Sequence, residues 1–224
     1  MKLDTRQLCL NTVLAAALAA SLSACAPLMF GGAVMTGFAA ADRRTAGAQI
    51  EDETIERRAV SRIETNVGDR VHVNVTSYNR QVLLSGEVPN EQDKQLVEQV
   101  VSRVDNVRTI FNELTVLGHS TLTQRSSDAL VTGRVKSNLL DAKDLSANAF
   151  KVVTERGTTY LMGRVTLREA DRATDIVRDT NGVQKVVRMF EIITEEELQQ
   201  LMPQPTPGDA KKDKDSAARA ATNF

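Results

Sequence analysis

The chain has 224 residues, a quarter of them charged, and its 28 basic and 29 acidic residues leave a net charge of −1. That balance excludes the broad basic excess by which a chain advertises binding to nucleic acid. Two cysteines and two histidines offer little for a disulfide framework, a thiol site or a metal cage.

At the N-terminus, Lys2 and Arg6 precede an apolar run from Leu8 to Ala20 and then the small residues Ser23 and Ala24, the order of a signal peptide. The run is roughly a dozen residues long, short of the ~20 that a membrane-spanning helix needs. Leu22-Ser23-Ala24-Cys25 resembles the lipobox of bacterial lipoproteins. The resemblance implies removal of residues 1–24 and a diacylglyceryl group with an N-linked acyl chain such as palmitate on Cys25, with no other cofactor. One acyl chain holds a protein to a bilayer only marginally, whereas two or three hold it durably. Ala26 stands where an aspartate would favour the inner membrane, so the resemblance implies a lipid anchor on the periplasmic face of the outer membrane. Cys9 leaves with the signal peptide and Cys25 is acylated, so stability must come from packed cores. The loss of Lys2, Asp4 and Arg6 leaves 26 basic and 28 acidic residues. Residues 25–49 read as the lipidated N-terminus and a tether, because Ala26 to Ala41 carries no charge and three glycines.

Beyond the tether the chain contains itself twice. Val75 to Gly86 lies over Val152 to Gly163 at an offset of 77 residues, both followed by Gly-x-Val: Gly86-Glu87-Val88 and Gly163-Arg164-Val165. The first copy opens with a helical spacing of Ile55, Ala59 and Ile63, the second with Val131, Val135 and Leu139, where Ser127 and Asp128 supply an N-cap signal. Alternating, β-branched strands follow over Val71 to Tyr78 and Gln81 to Val88, and again over Phe150 to Glu155 and Thr158 to Val165, joined by tight turns at Asn79-Arg80 and Arg156-Gly157. Amphipathic helices over Asn90 to Val104 and Leu167 to Thr180 lead into a last strand in each copy, completing an αββαβ order. Glu195-Glu196-Glu197 starts a short solvated helix, and Pro203, Pro205 and Pro207 introduce a small, polar, charged tail.

This layout, with Gly-x-Val after the second strand and Gly182-Val183-Gln184-Lys185-Val186 at the third, resembles the BON domain. The first copy departs at the third strand, with Asn106 for the glycine and Ile110 for the last valine; asparagine tolerates positive φ best after glycine. The fold expected is therefore α+β, two tandem BON domains, each with a three-stranded mixed sheet covered on one face by two helices. The division is 50–117 for the first domain, 118–126 for a linker, 127–194 for the second domain and 195–224 for an acidic helix and disordered tail. With the lead-in Asp42-Arg43-Arg44-Thr45, the whole chain resembles dual-BON outer-membrane lipoproteins, which implies a role in envelope integrity and at division sites.

Catalysis has no candidate. His72 and His119 lack metal-like or triad-like neighbours in sequence, no Gly-x-Ser-x-Gly elbow occurs, and Thr132-Gly133-Arg134-Val135-Lys136-Ser137 lacks the glycine spacing of a phosphate loop. Binding has one. At 100° per residue, Val131, Val135 and Leu139 span an arc of about 80°, and Leu130 points roughly 140° from its centre, beside Arg134 and Ser137, with Lys136 at the other edge. An apolar wedge one turn from an arginine suits an anionic phospholipid membrane, where the wedge enters the acyl boundary and the cation meets phosphate. In the first copy Thr54, Arg58 and Val60 stand in place of Leu130, Arg134 and Lys136. The resemblance implies lipid binding through the same helix. The alternatives are that Leu130 packs against another part of the chain, and that the domains are scaffolds for a protein partner such as outer-membrane assembly machinery, with the lipid a tether.

Overall fold

The computed structural model describes residues 42–201. Helix α1 (Ala46–Asn66) starts where the Thr45 hydroxyl accepts the Ala48 amide, and its i, i+4 stripe of Ile55, Ala59 and Ile63 is buried. After a short 3-10 turn come β1 (His72–Tyr78) and β2 (Gln81–Val88), an antiparallel pair in which Tyr78 faces Gln81 across a two-residue turn. Helix α2 (Glu91–Ser102), capped by Asn90, crosses back to an edge strand that pairs parallel with β2. That strand is broken into β3 (Thr109–Asn112) and β4 (Thr115–Val116) at Glu113-Leu114, where the Leu114 side chain drops into the core.

The second half repeats the plan: α3 (Leu122–Asp141), β5 (Phe150–Glu155), β6 (Thr158–Val165), α4 (Leu167–Arg178) and β7 (Lys185–Ile192), with β5 antiparallel and β7 parallel to β6. Helix α5 (Glu195–Leu201) follows, its Thr194 hydroxyl accepting the Glu197 amide at 3.1 Å. Both sheets are mixed, and each carries its two helices on one face over a core of its own, so the α+β tandem architecture holds.

The Gly-x-Val signature has a steric cause. A Cβ on Gly86 would lie 2.1 Å from the His72 carbonyl oxygen, and one on Gly163 would lie 2.5 Å from that of Ala149. Only a bare backbone lets the first strand approach the second there. Asn106 takes φ +67 where Gly182 takes +99, so the turn survives the departure from glycine.

One expectation is corrected. Ser127 and Asp128 do not cap the helix of the second half; α3 begins at Leu122, inside the segment 118–126 read as linker. Thr121 is the cap, in a capping box with Gln124: the Gln124 amide donates to the Thr121 hydroxyl at 3.2 Å and the Thr121 amide to the Gln124 side chain at 2.9 Å. Asp128 is buried and has another task. Its carboxylate accepts the amides of Arg156 at 2.8 Å and Gly157 at 2.9 Å, the two positive-φ residues of the β5–β6 turn. Asp52 does the same in the first half, accepting the amides of Asn79 at 2.7 Å and Arg80 at 2.8 Å. A buried carboxylate on each first helix thus holds a turn with positive φ at both positions, a shape costly for residues other than glycine.

The sheet faces turned away from the helices meet each other. Tyr78, Leu83, Tyr160, Met162 and Met189 are buried there as a third apolar cluster, with Phe111, Val153 and Val187 packed against it. This is why β2 is buried along nearly its whole length instead of on alternate residues. Polar contacts ring the seam: Arg156 Nε to Glu87 at 2.6 Å, Asn74 Nδ2 to Glu155 at 2.8 Å, Lys151 Nζ to Glu56 at 2.9 Å and Asn79 Nδ2 to Glu191 at 2.6 Å. The lead-in straps both halves. Arg43 makes a bidentate pair with Glu169 of the second at 2.7 Å, while Arg44 binds Asp52 of the first at 2.7 Å and lies 4.3 Å over the Tyr78 ring.

Candidate functional site

Helix α3 turns Asp128, Val131, Val135 and Leu139 inward. Its outer side carries Leu130, 63% exposed, together with exposed Arg134, Lys136 and Ser137. The arc counted from sequence is therefore the arc that faces solvent, and Leu130 is not buried against another part of the described chain. Arg134 donates one 3.4 Å hydrogen bond to the Asn181 carbonyl, and neither it nor Lys136 has an ionic partner among the described residues.

Two further apolar residues share this side and were not singled out from sequence. Leu122 is 80% and Leu140 66% exposed. Eighteen residues are five helical turns, so these two leucines share one azimuth about 27 Å apart, with Leu130 between them in height and about 80° around the axis. The signal existed in the Leu122–Leu140 spacing, but Leu122 lay in the presumed linker. A groove of about 230 Å³, lined by Lys136, Leu139, Leu140, Phe150 and Val152, runs beside the helix.

The first domain is an internal comparison. At the repeat offset, α1 presents Ala46, Thr54 and Glu64 where α3 presents its three leucines, and Arg58 is paired with Asp105 at 3.4 Å. Its groove, about 190 Å³, is lined by Glu64, Asp69 and His72 beside Val60, Ile63 and Val73. Two large apolar residues, Ile50 and Val60, are exposed on α1. The duplicated scaffold thus offers an apolar, cationic face on one copy and a mostly polar, acidic one on the other.

The two histidines, 47 residues apart in sequence, come together at one end of the seam, their ring centroids 6.4 Å apart. Sequence gave neither a neighbour; the neighbours are across the fold. His72 Nδ1 lies 2.9 Å from Glu87 Oε2, and donor atoms of His72, Glu87 and Glu155 fall within 4.8 Å of one another. Burial opposes ionisation of Glu87, but Arg156, the Ser120 amide and His72 outweigh it and hold the carboxyl below its ordinary range. For Glu155, burial dominates and the charge of Glu87 adds to it, so its carboxyl is pushed up.

Cys25 lies outside the described residues, as do the signal peptide, residues 26–41 of the segment read as tether, and residues 202–224; residues 42–49 of that segment instead form the lead-in and the first turn of α1. No helix among the described residues is long and apolar enough to cross a membrane.

Comparison with known proteins agrees with this architecture. Residues 51–118 and 127–194 each match the BON domain family. The chain is 35% identical over 174 residues to the outer membrane lipoprotein DolP of Haemophilus influenzae, covering 77% of this chain and 90% of that protein. It is 30% identical over 154 residues to a 21 kDa hemolysin of Actinobacillus pleuropneumoniae, covering 68% of this chain and 79% of that one. Among solved structures, CdsD, a structural protein of the type III secretion system of Chlamydia trachomatis, aligns with 65% of this chain and 98% of its own at 16% identity and a TM-score of 0.28, too low to carry an argument. With two matching domains and this kinship along most of its length, the chain belongs to the BON-domain family, as a tandem-domain outer-membrane lipoprotein.

Proposed function

We propose that this protein is a non-catalytic envelope lipoprotein, anchored through acylated Cys25 to the periplasmic face of the outer membrane, whose second BON domain contacts anionic phospholipid through α3. The observation that carries this reading is the set of exposed leucines Leu122, Leu130 and Leu140 on the outer side of α3, beside Arg134 and Lys136, which have no ionic partner among the described residues, on the copy of the repeat that alone has all of them. Leucines enter the acyl boundary at about 1.5–3 kcal/mol for full burial of each, and each cation adds about 1 kcal/mol near an anionic surface. Ser137 sits between them as a hydrogen-bond donor to phosphate. The groove beside Lys136 and Leu140 accepts an alkyl segment, whereas its acidic counterpart in the first domain repels a phosphate. Of the relatives, one is an outer membrane lipoprotein and another a hemolysin, and the first supports this reading. From the dual-domain family, the reading extends to envelope integrity and enrichment at division sites.

The test is co-sedimentation of an unlipidated chain beginning at residue 26 with vesicles of increasing phosphatidylglycerol content. Binding is expected to rise with anionic lipid and to fall at least tenfold in a Leu130→Glu, Arg134→Glu double variant. Binding indifferent to lipid charge, or to both substitutions, refutes the proposal and favours a scaffold for a protein partner such as outer-membrane assembly machinery.

A further inference from the structure

We propose that His72, His119 and Glu155 bind a divalent transition-metal cation, zinc being the best match, at the seam between the two domains, with Glu87 as the positioning carboxylate behind them. Imidazole and carboxylate are the donor set of zinc, and three protein ligands leave a fourth position for water. Donors sharing one tetrahedral zinc sit about 3.3–3.5 Å apart, given bonds of about 2.0–2.2 Å. Donor atoms of His72 and Glu155, with Glu87 behind them, lie within 4.8 Å of one another and close with side-chain movement of about an ångström or two, whereas the His119 ring, its centroid 6.4 Å from that of His72, has to turn in as the third ligand. His119 is exposed on the segment between the domains, with its ring tilted 51° to that of His72.

Glu87 gives the cluster its order. It is 1% exposed and cannot itself turn toward a new ligand without abandoning a buried ion pair. It accepts from all three ligand-bearing segments: from His72 Nδ1 at 2.9 Å, from the Ser120 amide next to His119 at 3.1 Å, and from Arg156 Nε next to Glu155 at 2.6 Å. A carboxylate accepting the Nδ1 proton fixes the tautomer and leaves Nε2 as the lone pair for a metal, the arrangement found behind metal-ligating histidines. Asn74 holds Glu155 at 2.8 Å. Ser85, across the ladder from Asn74 and on the same face of β2 as Glu87, has the one buried side-chain polar atom without a hydrogen-bond partner among the described residues, a spare group for a metal-bound water. At the repeat-related positions stand Ala149 for His72, Arg164 for Glu87 and Tyr78 for Glu155, so the other end of the seam has no such donor set.

The probe is zinc chloride, titrated against full-length protein in detergent in competition with a chromogenic chelator, with cobalt(II) substitution to report coordination. One equivalent is expected to bind with micromolar or tighter affinity, giving a tetrahedral cobalt spectrum and raising the unfolding midpoint. His119→Ala, at an exposed position, is expected to weaken binding at least tenfold without changing the metal-free midpoint. Glu87→Gln is expected to weaken it 10–100-fold while leaving the cobalt spectrum tetrahedral, which a merely structural effect would not do. Absence of stoichiometric binding below 100 μM zinc overturns the proposal. So does binding that survives His119→Ala and Glu155→Gln unchanged, which would place the metal elsewhere on the chain.

Discussion

Replacing each of the twin buried aspartates by alanine should reveal how much of the fold rests on them. Asp128→Ala removes the acceptor for two turn amides, Arg156 N and Gly157 N. A buried donor left unmatched costs about 1–3 kcal/mol, and a turn amide recovers part of that from water, so about 2–3 kcal/mol is expected in all. Asp52→Ala orphans more. Besides the amides of Asn79 and Arg80, it holds the Ser77 hydroxyl at 2.7 Å and Arg44 Nη1 at 2.7 Å, and it is almost fully buried. Arg44 keeps Asp42, which limits the charge penalty, and the sum is about 4–5 kcal/mol. Urea unfolding followed by circular dichroism at neutral pH measures both. Asp52→Ala must cost more than Asp128→Ala by at least about 1 kcal/mol, and Asp128→Asn, which keeps one acceptor oxygen, must recover roughly half of its loss. Equal effects, or losses under about 1 kcal/mol for both, would refute the idea that these carboxylates hold the positive-φ turns.

Two further outcomes follow from groups at the seam and strap. The chain's two tyrosines both lie in the buried cluster, and burial pushes each up to about 12, helped by Asp42 at Tyr78 and by Glu113 and Glu155 at Tyr160. Their raised values favour the neutral phenol in the folded state, so stability is intact below the unfolded value of about 10 and is lost as pH rises through the folded one. Absorbance at 295 nm should show no phenolate until above about pH 11; half the signal appearing near 10 would mean that the sheets do not close on each other. At Glu169, burial opposes ionisation but the bidentate Arg43 and the Thr166 amide overcome it, holding the carboxyl below its ordinary range. Its contribution is thus complete above about pH 4.3 and disappears as pH falls through the depressed value. Arg43→Ala should cost about 3 kcal/mol at pH 7, and its gap from the parent chain should narrow by pH 3.5; a gap independent of pH would assign the loss to packing.

The parts of this fold legible in the sequence are those governed by local periodicity. Ile55, Ala59 and Ile63, and their counterparts Val131, Val135 and Leu139, announce buried helix faces because i, i+4 spacing has one structural meaning. The strand limits at Gln81–Val88 and Thr158–Val165 follow from β-branched runs bounded by turn residues. The start of α3 was misread because Ser127 and Asp128 satisfy the composition of a cap, whereas the Thr121–Gln124 box six residues earlier is followed by polar residues that obscure the helical stripe. Asp128 looks identical as a cap and as a turn clamp until β5 and β6 are folded beneath it. The exposed side of Leu130 and Arg134 could be counted in degrees, since it depends on one helix alone. The meeting of His72, Glu87, His119 and Glu155 depends on how two sheets pack, and no local pattern encodes it.

The strap at Arg43 and Arg44 has a mechanical consequence. Adjacent residues grip different domains, Glu169 in one and Asp52 in the other. Tension arriving along the backbone from the N-terminal side therefore divides at a single dipeptide and loads both halves together.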